Sequence, residues 1–301
     1  MKPIGTELRE VGEGIFAHIQ RDGSWWLNNS GVVVRDGVAA VIDTCATRPR
    51  TSAFRERIAE LTPHAPRLLI NTHAHGDHTY GNAVFPEATV IAHVGCRAAM
   101  ADDPVRWSPA REWWAPVPRW ADLPLRLPDI TIHEHTEVHC ADRRVEVWPV
   151  GGRAHTDHDL VIVLDEVAFV GDLLFRGGTP LFISGSLTGY LEALPLLRRL
   201  APRILVPGHG EPCDQDEVDA HERYVRLVLE AARAGIEQGM TPLGVARELD
   251  LDEFGDRTDS ERIVLNLHRA FADVNPEHGF DMERAFTDAI AFHGGPLRTR
   301  V

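Results

Sequence analysis

Three imidazoles and a carboxylate stand within six consecutive residues, His73-Ala74-His75-Gly76-Asp77-His78. Neutral imidazole nitrogens and carboxylate oxygens suit a borderline cation such as zinc. The run follows the apolar stretch Leu68-Leu69-Ile70, so a strand ending there would point its ligands into one small volume. Three more candidates share that context. His155 follows the stretch from Val145 to Val150, Asp172 ends Phe169-Val170-Gly171-Asp172, and His209 lies in Val206-Pro207-Gly208-His209-Gly210. Glycine near each lets the chain turn tightly at a strand end. Ligands gathered from several strand ends describe a built metal site, whose chemistry is Lewis-acid polarisation and water activation.

These residues need a scaffold of alternating strands and helices. Strands are expected over Phe16 to Ile19, Trp25 to Val34 and Val38 to Ile42, with turns at Arg21-Asp22-Gly23 and Arg35-Asp36-Gly37. A helix from about Arg50 to Leu61 follows, closed by Pro63 and Pro66. Further strands are expected at Leu68 to Asn71, Thr89 to Ala92, Ile130 to Ile132, Glu137 to His139, Val145 to Pro149, Leu160 to Leu164, Val167 to Val170 and Ile204 to Val206. From Gln215 onward the chain reads as helical, and Asp214 with Glu217 has the spacing of a capping box. Residues 103–128 break the alternation. They are rich in proline and hold Trp107, Trp113, Trp114 and Trp120, which suggests a lid or wall over a pocket.

With Asp43 in Val41-Ile42-Asp43-Thr44, the segments resemble, in order, the motifs of the metallo-β-lactamase superfamily, in its hydrolase branch with a dinuclear metal site. The match runs over roughly residues 10–215. The resemblance implies an α/β fold, a four-layer αββα sandwich. It implies a catalytic core over 1–215 and a helical C-terminal extension over 216–301 packed on it. It also implies two Zn2+ ions: one held by His73, His75 and His155, the other by Asp77, His78 and His209, with Asp172 bridging both. Asp43 would support the ligands from behind. The implied reaction is attack by a bridging hydroxide on a carbonyl carbon, with Asp77 as the catalytic residue that orients it.

Departures from the family's branches narrow the reading. Metallo-β-lactamases usually lack the bridging aspartate found here as Asp172, and flavodiiron members usually carry a carboxylate where His75 stands. Glutathione-thioester hydrolases bind substrate with basic residues including lysine in the C-terminal helices, where this chain has none; Lys2 is its sole lysine. Quorum-lactone hydrolases tend to place a tyrosine just after the bridging aspartate, where Leu173, Leu174 and Phe175 stand here. What remains is a thioester or ester hydrolase for an apolar or aromatic acyl group, with Trp25, Trp26, Trp113, Trp114 and His158 as pocket residues. Asp22 to Asn29, His155-Thr156-Asp157 and Gly171 to Gly189 are also similar to the cyclase/thioesterase members of aromatic polyketide pathways. That similarity implies ring closure and release of the chain from an acyl carrier protein. The alternatives are a lactone, sulfate-ester or phosphodiester hydrolase of the same fold, or a non-catalytic metal-binding accessory protein.

Composition sets the outer limits. A net charge of −14 opposes non-specific nucleic-acid binding, which depends on basic side chains. No apolar run approaches the roughly 20 residues of a membrane span, and residues 1–7 carry no signal-like apolar core, so a cytoplasmic protein is expected. Cys45, Cys96, Cys140 and Cys213 are scattered and form no CxxC pair.

Overall fold

A computed structural model describes residues 5–103, 112–118, 120 and 123–301. Trp107 and the middle of the proline–tryptophan segment lie outside the described residues. Two sheets form the centre. The first has seven strands in the order β1 (Thr6–Gly12), β2 (Ile15–Gln20), β3 (Ser30–Arg35), β4 (Val38–Ile42), β5 (Leu68–Ile70), β6 (Thr89–His93) and β8 (Ile130–Ile132). The second has five, in the order β13 (Ile204–His209), β12 (Val167–Phe175), β11 (Leu160–Leu164), β10 (Arg143–Pro149) and β9 (Thr136–Cys140). A short parallel pair joins β7 (Trp114–Ala115) to β14 (Leu297–Arg298).

The period-two alternation of strand side chains builds the layers. In β4, Ala40 and Ile42 face the second sheet, while Ala39 and Val41 face outward onto Phe54 and Ile58 of α1 (Arg48–Leu61). In β11, Leu160, Ile162 and Leu164 face the first sheet, and Val161 faces the opposite way. The result is the expected helix–sheet–sheet–helix sandwich, whose inner core is the apolar layer between the sheets.

After the short α3 (Val94–Ala101) that follows β6, the outer face of the second sheet is covered by α4 (Leu187–Leu200) and by α5 (Gln215–Glu237), followed by α6 (Pro242–Glu248), α7 (Arg262–Val274) and α8 (Met282–His293). These helices share one apolar cluster with Val161, Ala168, Val170 and Leu205, so the C-terminal helices are built into the sandwich rather than tethered to it. Among the described residues, no helix is long and apolar enough to cross a membrane.

Three local expectations are corrected. The strand read from Trp25 begins only at Ser30, because Trp26 takes a left-handed backbone (φ 68) that an extended strand cannot hold. Strand β1 was not anticipated; its side chains are partly exposed and lack a clean apolar alternation. At the start of α5, the Asp214 side chain accepts from the Asp216 N–H. The Glu217 carboxylate turns inward to Arg257 and Arg176, at 3.0 Å each, instead of closing a capping box.

Candidate active site

The expected ligands all sit at one edge of the two sheets, where strand ends converge. His73 follows β5 by three residues, Asp77 and His78 lie in the single turn α2 (Gly76–Thr79), Asp172 interrupts β12, and His209 ends β13. Their donor atoms form two groups: His73, His75, His155 and Asp172 in one, and Asp77, His78 and His209 in the other, each within 4.8 Å. Asp172 reaches both. Its Oδ2 is 3.4 Å from His155 Nε2, 3.9 Å from His73 Nε2 and 3.5 Å from His209 Nε2, and its Oδ1 is 2.9 Å from His78 Nε2.

Each imidazole is aimed by a hydrogen bond at its far nitrogen. His78 Nδ1 donates to Asp43 Oδ2 at 2.8 Å, His155 Nδ1 to the Leu181 carbonyl at 2.7 Å, and His209 Nδ1 to the Gly23 carbonyl at 3.0 Å. His73 Nδ1 donates to Thr72 Oγ1 at 3.0 Å, and that hydroxyl donates in turn to Asp43 Oδ2 at 2.6 Å. His75 Nε2 donates to Ser184 Oγ at 3.0 Å. In a neutral ring whose proton sits on the outer nitrogen, the inner nitrogen presents a lone pair toward the centre, as a metal ligand must. The inner atoms are poorly served by the protein alone: His73 Nε2 is buried without a hydrogen-bond partner, and His78 Nε2 and Asp172 Oδ1, though 2.9 Å apart, meet at an angle that makes no well-formed hydrogen bond. Buried polar atoms left unpaired are costly, and their convergence, with imidazole and carboxylate as the donors, fits divalent cations.

Electrostatics divides the two groups. Burial depresses His73 and His75, and takes His155 to about 3, overriding the pull of Asp172. Burial also opposes protonation of His78 and His209, but the carboxylates around them prevail. Asp172, Asp43 and Asp77 raise His78 well above its usual range, and Asp172 with Asp77 brings His209 to about 9. Asp172 is held well below the usual carboxylate range by His209, His78 and His155, which outweigh its desolvation. The buried carboxylates thus demand positive charge in the second group, which protons supply when no cation does.

Close packing fixes this arrangement. A Cβ on Gly208 would lie 1.9 Å from Asp172 Oδ1, so only glycine lets β13 pass that carboxylate. Asp43, which receives bonds from Thr72 and His78, itself holds a positive φ of 55°.

The ligands open onto a cavity of about 290 Å³. Of the pocket residues named from the sequence, Trp25, Trp26, Trp114 and His158 line it. Trp113 does not; it stacks on Phe286 at 4.0 Å and supports that ring, which does line the cavity. His158 donates through Nδ1 to Asp157 at 2.6 Å, and its Nε2 accepts from the Ala74 N–H at 3.3 Å.

Several lining residues escaped the sequence reading: Tyr80, Phe175, Ile183, Arg262, Met282 and Phe286. The last three come from the C-terminal helices. Arg262 is buried, with its guanidinium 4.1 Å from the centre of the Trp25 ring and 5.3 Å from that of Phe175. Phe175 stacks on His209 at 4.9 Å, so the extension braces a candidate ligand through an aromatic ring. A basic residue at the start of an apolar-periodic helix was the available signal.

Comparison with known proteins agrees with this architecture. The model of the metallo-beta-lactamase superfamily matches residues 23–209. A hydroxyacylglutathione hydrolase from Mesorhizobium japonicum is 27% identical over 156 residues, which is 50% of each chain, so this chain spans about half the length of that curated relative. A metallo-beta-lactamase from Pontibacter korlensis superposes with a TM-score of 0.60 at 17% identity, covering 73% of this chain and 99% of the other. The metallo-beta-lactamase FIM-1 from Pseudomonas aeruginosa, in its mono-zinc form, gives 0.60 at 15% identity, covering 75% and 97%. At such identities the two solved structures share the fold. The family match spans more than half of the chain and contains every candidate ligand described above: the protein belongs to the metallo-beta-lactamase superfamily.

Proposed function

We propose that the protein is a metal-dependent hydrolase that cleaves a thioester or ester bearing an apolar, aromatic acyl group. The observation that carries this reading is the opening of two adjoining ligand groups into one aromatic-walled cavity. His73, His75 and His155 would hold one divalent cation and Asp77, His78 and His209 a second, with Asp172 shared. Zinc is the ion this donor set suits best. Such a pair of cations, when bound, polarises a carbonyl and lowers the pKa of water to near neutrality.

The protein's own side chains do the rest. The Asp77 carboxylate lines the cavity and is held below its usual pKa by His78 and His209 despite burial, so it stays ionised. It accepts a hydrogen bond from the attacking water and sets its direction. Trp25, Trp26, Trp114 and Phe286 bind the acyl group and exclude bulk water, which strengthens every charge interaction at the site. The similarity to a hydroxyacylglutathione hydrolase supports a thioester as the scissile bond. The narrower form of this reading is a cyclase/thioesterase that closes a ring on the acyl chain before releasing it from a carrier protein.

Assay of the zinc-loaded protein against aryl thioesters, aryl esters, lactones, a chromogenic cephalosporin and bis-nitrophenyl phosphate tests the reading. Aryl thioesters or esters are expected to give the highest kcat/KM. A phosphodiester or a cephalosporin as best substrate would overturn it. Free cyclised acid, released from a carrier-bound polyketone, would support the narrower form.

A further inference from the structure

Helix α7 turns a stripe of polar side chains toward the interior. Arg262, Asn266, Arg269 and Asp273 recur at steps of three or four residues, so they share one helix face, and their side chains are buried. A buried polar face needs partners. Each of the four finds them in one segment, residues 179–187, which leads from β12 to α4. Arg262 donates to the Thr179 carbonyl at 3.0 Å and Arg269 to that of Gly185 at 3.3 Å. Asp273 accepts from the Leu187 N–H at 2.6 Å and from Ser186 Oγ at 3.0 Å. Asn266 uses both ends of its carboxamide: Nδ2 donates to the Pro180 carbonyl at 2.7 Å, and Oδ1 accepts from the Phe182 N–H at 3.1 Å. Residues 179–182 belong to no strand or helix, so the α7 side chains stand in for a ladder of backbone bonds.

The same segment meets the candidate ligands. Between the two residues clamped by Asn266 stands Leu181, whose carbonyl accepts from His155 Nδ1 at 2.7 Å. Three residues on, Ser184 Oγ accepts from His75 Nε2 at 3.0 Å. The Ser186 N–H donates to the Ala154 carbonyl at 2.9 Å, and a Cβ on Gly185 would fall 1.8 Å from that oxygen. The segment is therefore pressed against the loop that carries His155. Asn266 is fully buried, and its third hydrogen bond goes to Tyr224 Oη at 2.9 Å. None of its hydrogen bonds reaches the group of Asp77, His78 and His209.

We propose that Asn266 is a positioning residue for the cation site of His73, His75 and His155. By fixing the peptides on either side of Leu181, it holds the carbonyl that orients the His155 ring. The C-terminal extension thereby sets the affinity of one cation position and leaves the other unaltered. This rests on the reading of the three histidines as metal ligands, and not on the identity of the scissile bond.

The test is zinc binding by the full chain, read by competition with a chromogenic chelator. Asn266→Ala should weaken one of the two stepwise zinc affinities about tenfold, as loss of support behind a ligand does, and leave the other unchanged. In a His209→Ala background, which keeps the first group whole, the tenfold loss should persist. Equal loss at both positions would mean a general loosening of the fold, because metal binding is linked to folding, and would overturn the proposal. Unchanged affinities, or an effect that disappears in the His209→Ala background, would also overturn it. Asn266→Asp, measured at pH 8, keeps the shape and the acceptor but sets a carboxylate against the Pro180 carbonyl. It should give the same pattern, and decides the matter if the alanine variant does not fold. A parent that binds no zinc overturns the metal reading and this proposal with it. A parent that binds zinc but hydrolyses no thioester contradicts the hydrolase reading alone, and the affinities still decide the role of Asn266.

Discussion

The Trp25 indole donates to Glu261 at 2.7 Å, joining the loop before β3 to the residue that precedes α7, across 236 positions of sequence. Arg262, the next residue, lies over the same ring. One dipeptide of the C-terminal extension therefore grips the cavity wall from behind. Glu261→Ala leaves a buried indole N–H unpaired and should lower stability by about 1–3 kcal/mol. Urea unfolding measures this; bound zinc should stay unchanged, because Glu261 touches no candidate ligand. A variant as stable as the parent would show that the contact carries no weight.

Asp43 aims two imidazoles, His78 directly and His73 through Thr72. Asp43→Ala should weaken zinc binding by about 10–100-fold, the usual effect of removing a partner behind a ligand. Competition with a chromogenic chelator reads this directly. Unaltered affinity would mean that packing alone orients the two rings.

Gly208→Ala should displace Asp172, since the added methyl would fall 1.9 Å from its Oδ1. A shift of about 1 Å in such a group costs about a hundredfold in turnover. The parent's kcat retained in the variant would contradict the role assigned to Asp172.

A pH effect on stability is expected far from the ligands. His18 is buried, stacked on Phe54 at 4.5 Å, and burial, aided by Arg50 and Arg57, lowers its pKa to about 3. The unfolded chain therefore binds a proton at His18 between pH 6.5 and about 3 that the folded chain does not. Its contribution is fully present above pH 6.5 and is lost as pH falls, by about 2 kcal/mol at pH 5. His18→Gln should show a smaller drop in urea midpoint between pH 7.5 and pH 5 than the parent, even if it is less stable throughout. An equal drop in both proteins would assign the acid sensitivity elsewhere.

Much of the candidate site was legible in the sequence because its candidate ligands are local events. Each follows an apolar run that can only be a strand, and a nearby glycine marks the turn, as at Gly171 and Gly208. The sandwich followed from the alternation of such runs with helical ones. The cavity was legible only in part. The run from Trp25 onward has strand-like composition, but the hydrogen bonds of Asn28 and Asn29 to distant carbonyls of Thr44, Pro207 and Gly210 hold a loop there. Trp113 and Trp114 are adjacent in sequence yet point to different tasks, one stacking on Phe286 and one lining the cavity. The helical periodicity after residue 215 identifies buried faces but not what they bury against. Glu261, Arg262 and Phe286 therefore carried no visible link to the site.

The central claim is that hydrolysis depends on cations held by these two ligand groups. The most direct measurement is thioester turnover by protein stripped with a chelator, verified metal-free by elemental analysis, and titrated with zinc. The predicted result is no turnover above the uncatalysed rate before addition, and recovery that saturates at two equivalents, with His155→Ala recovering neither metal content nor activity. Metal-free protein that hydrolyses the thioester as fast as the loaded form would contradict the account.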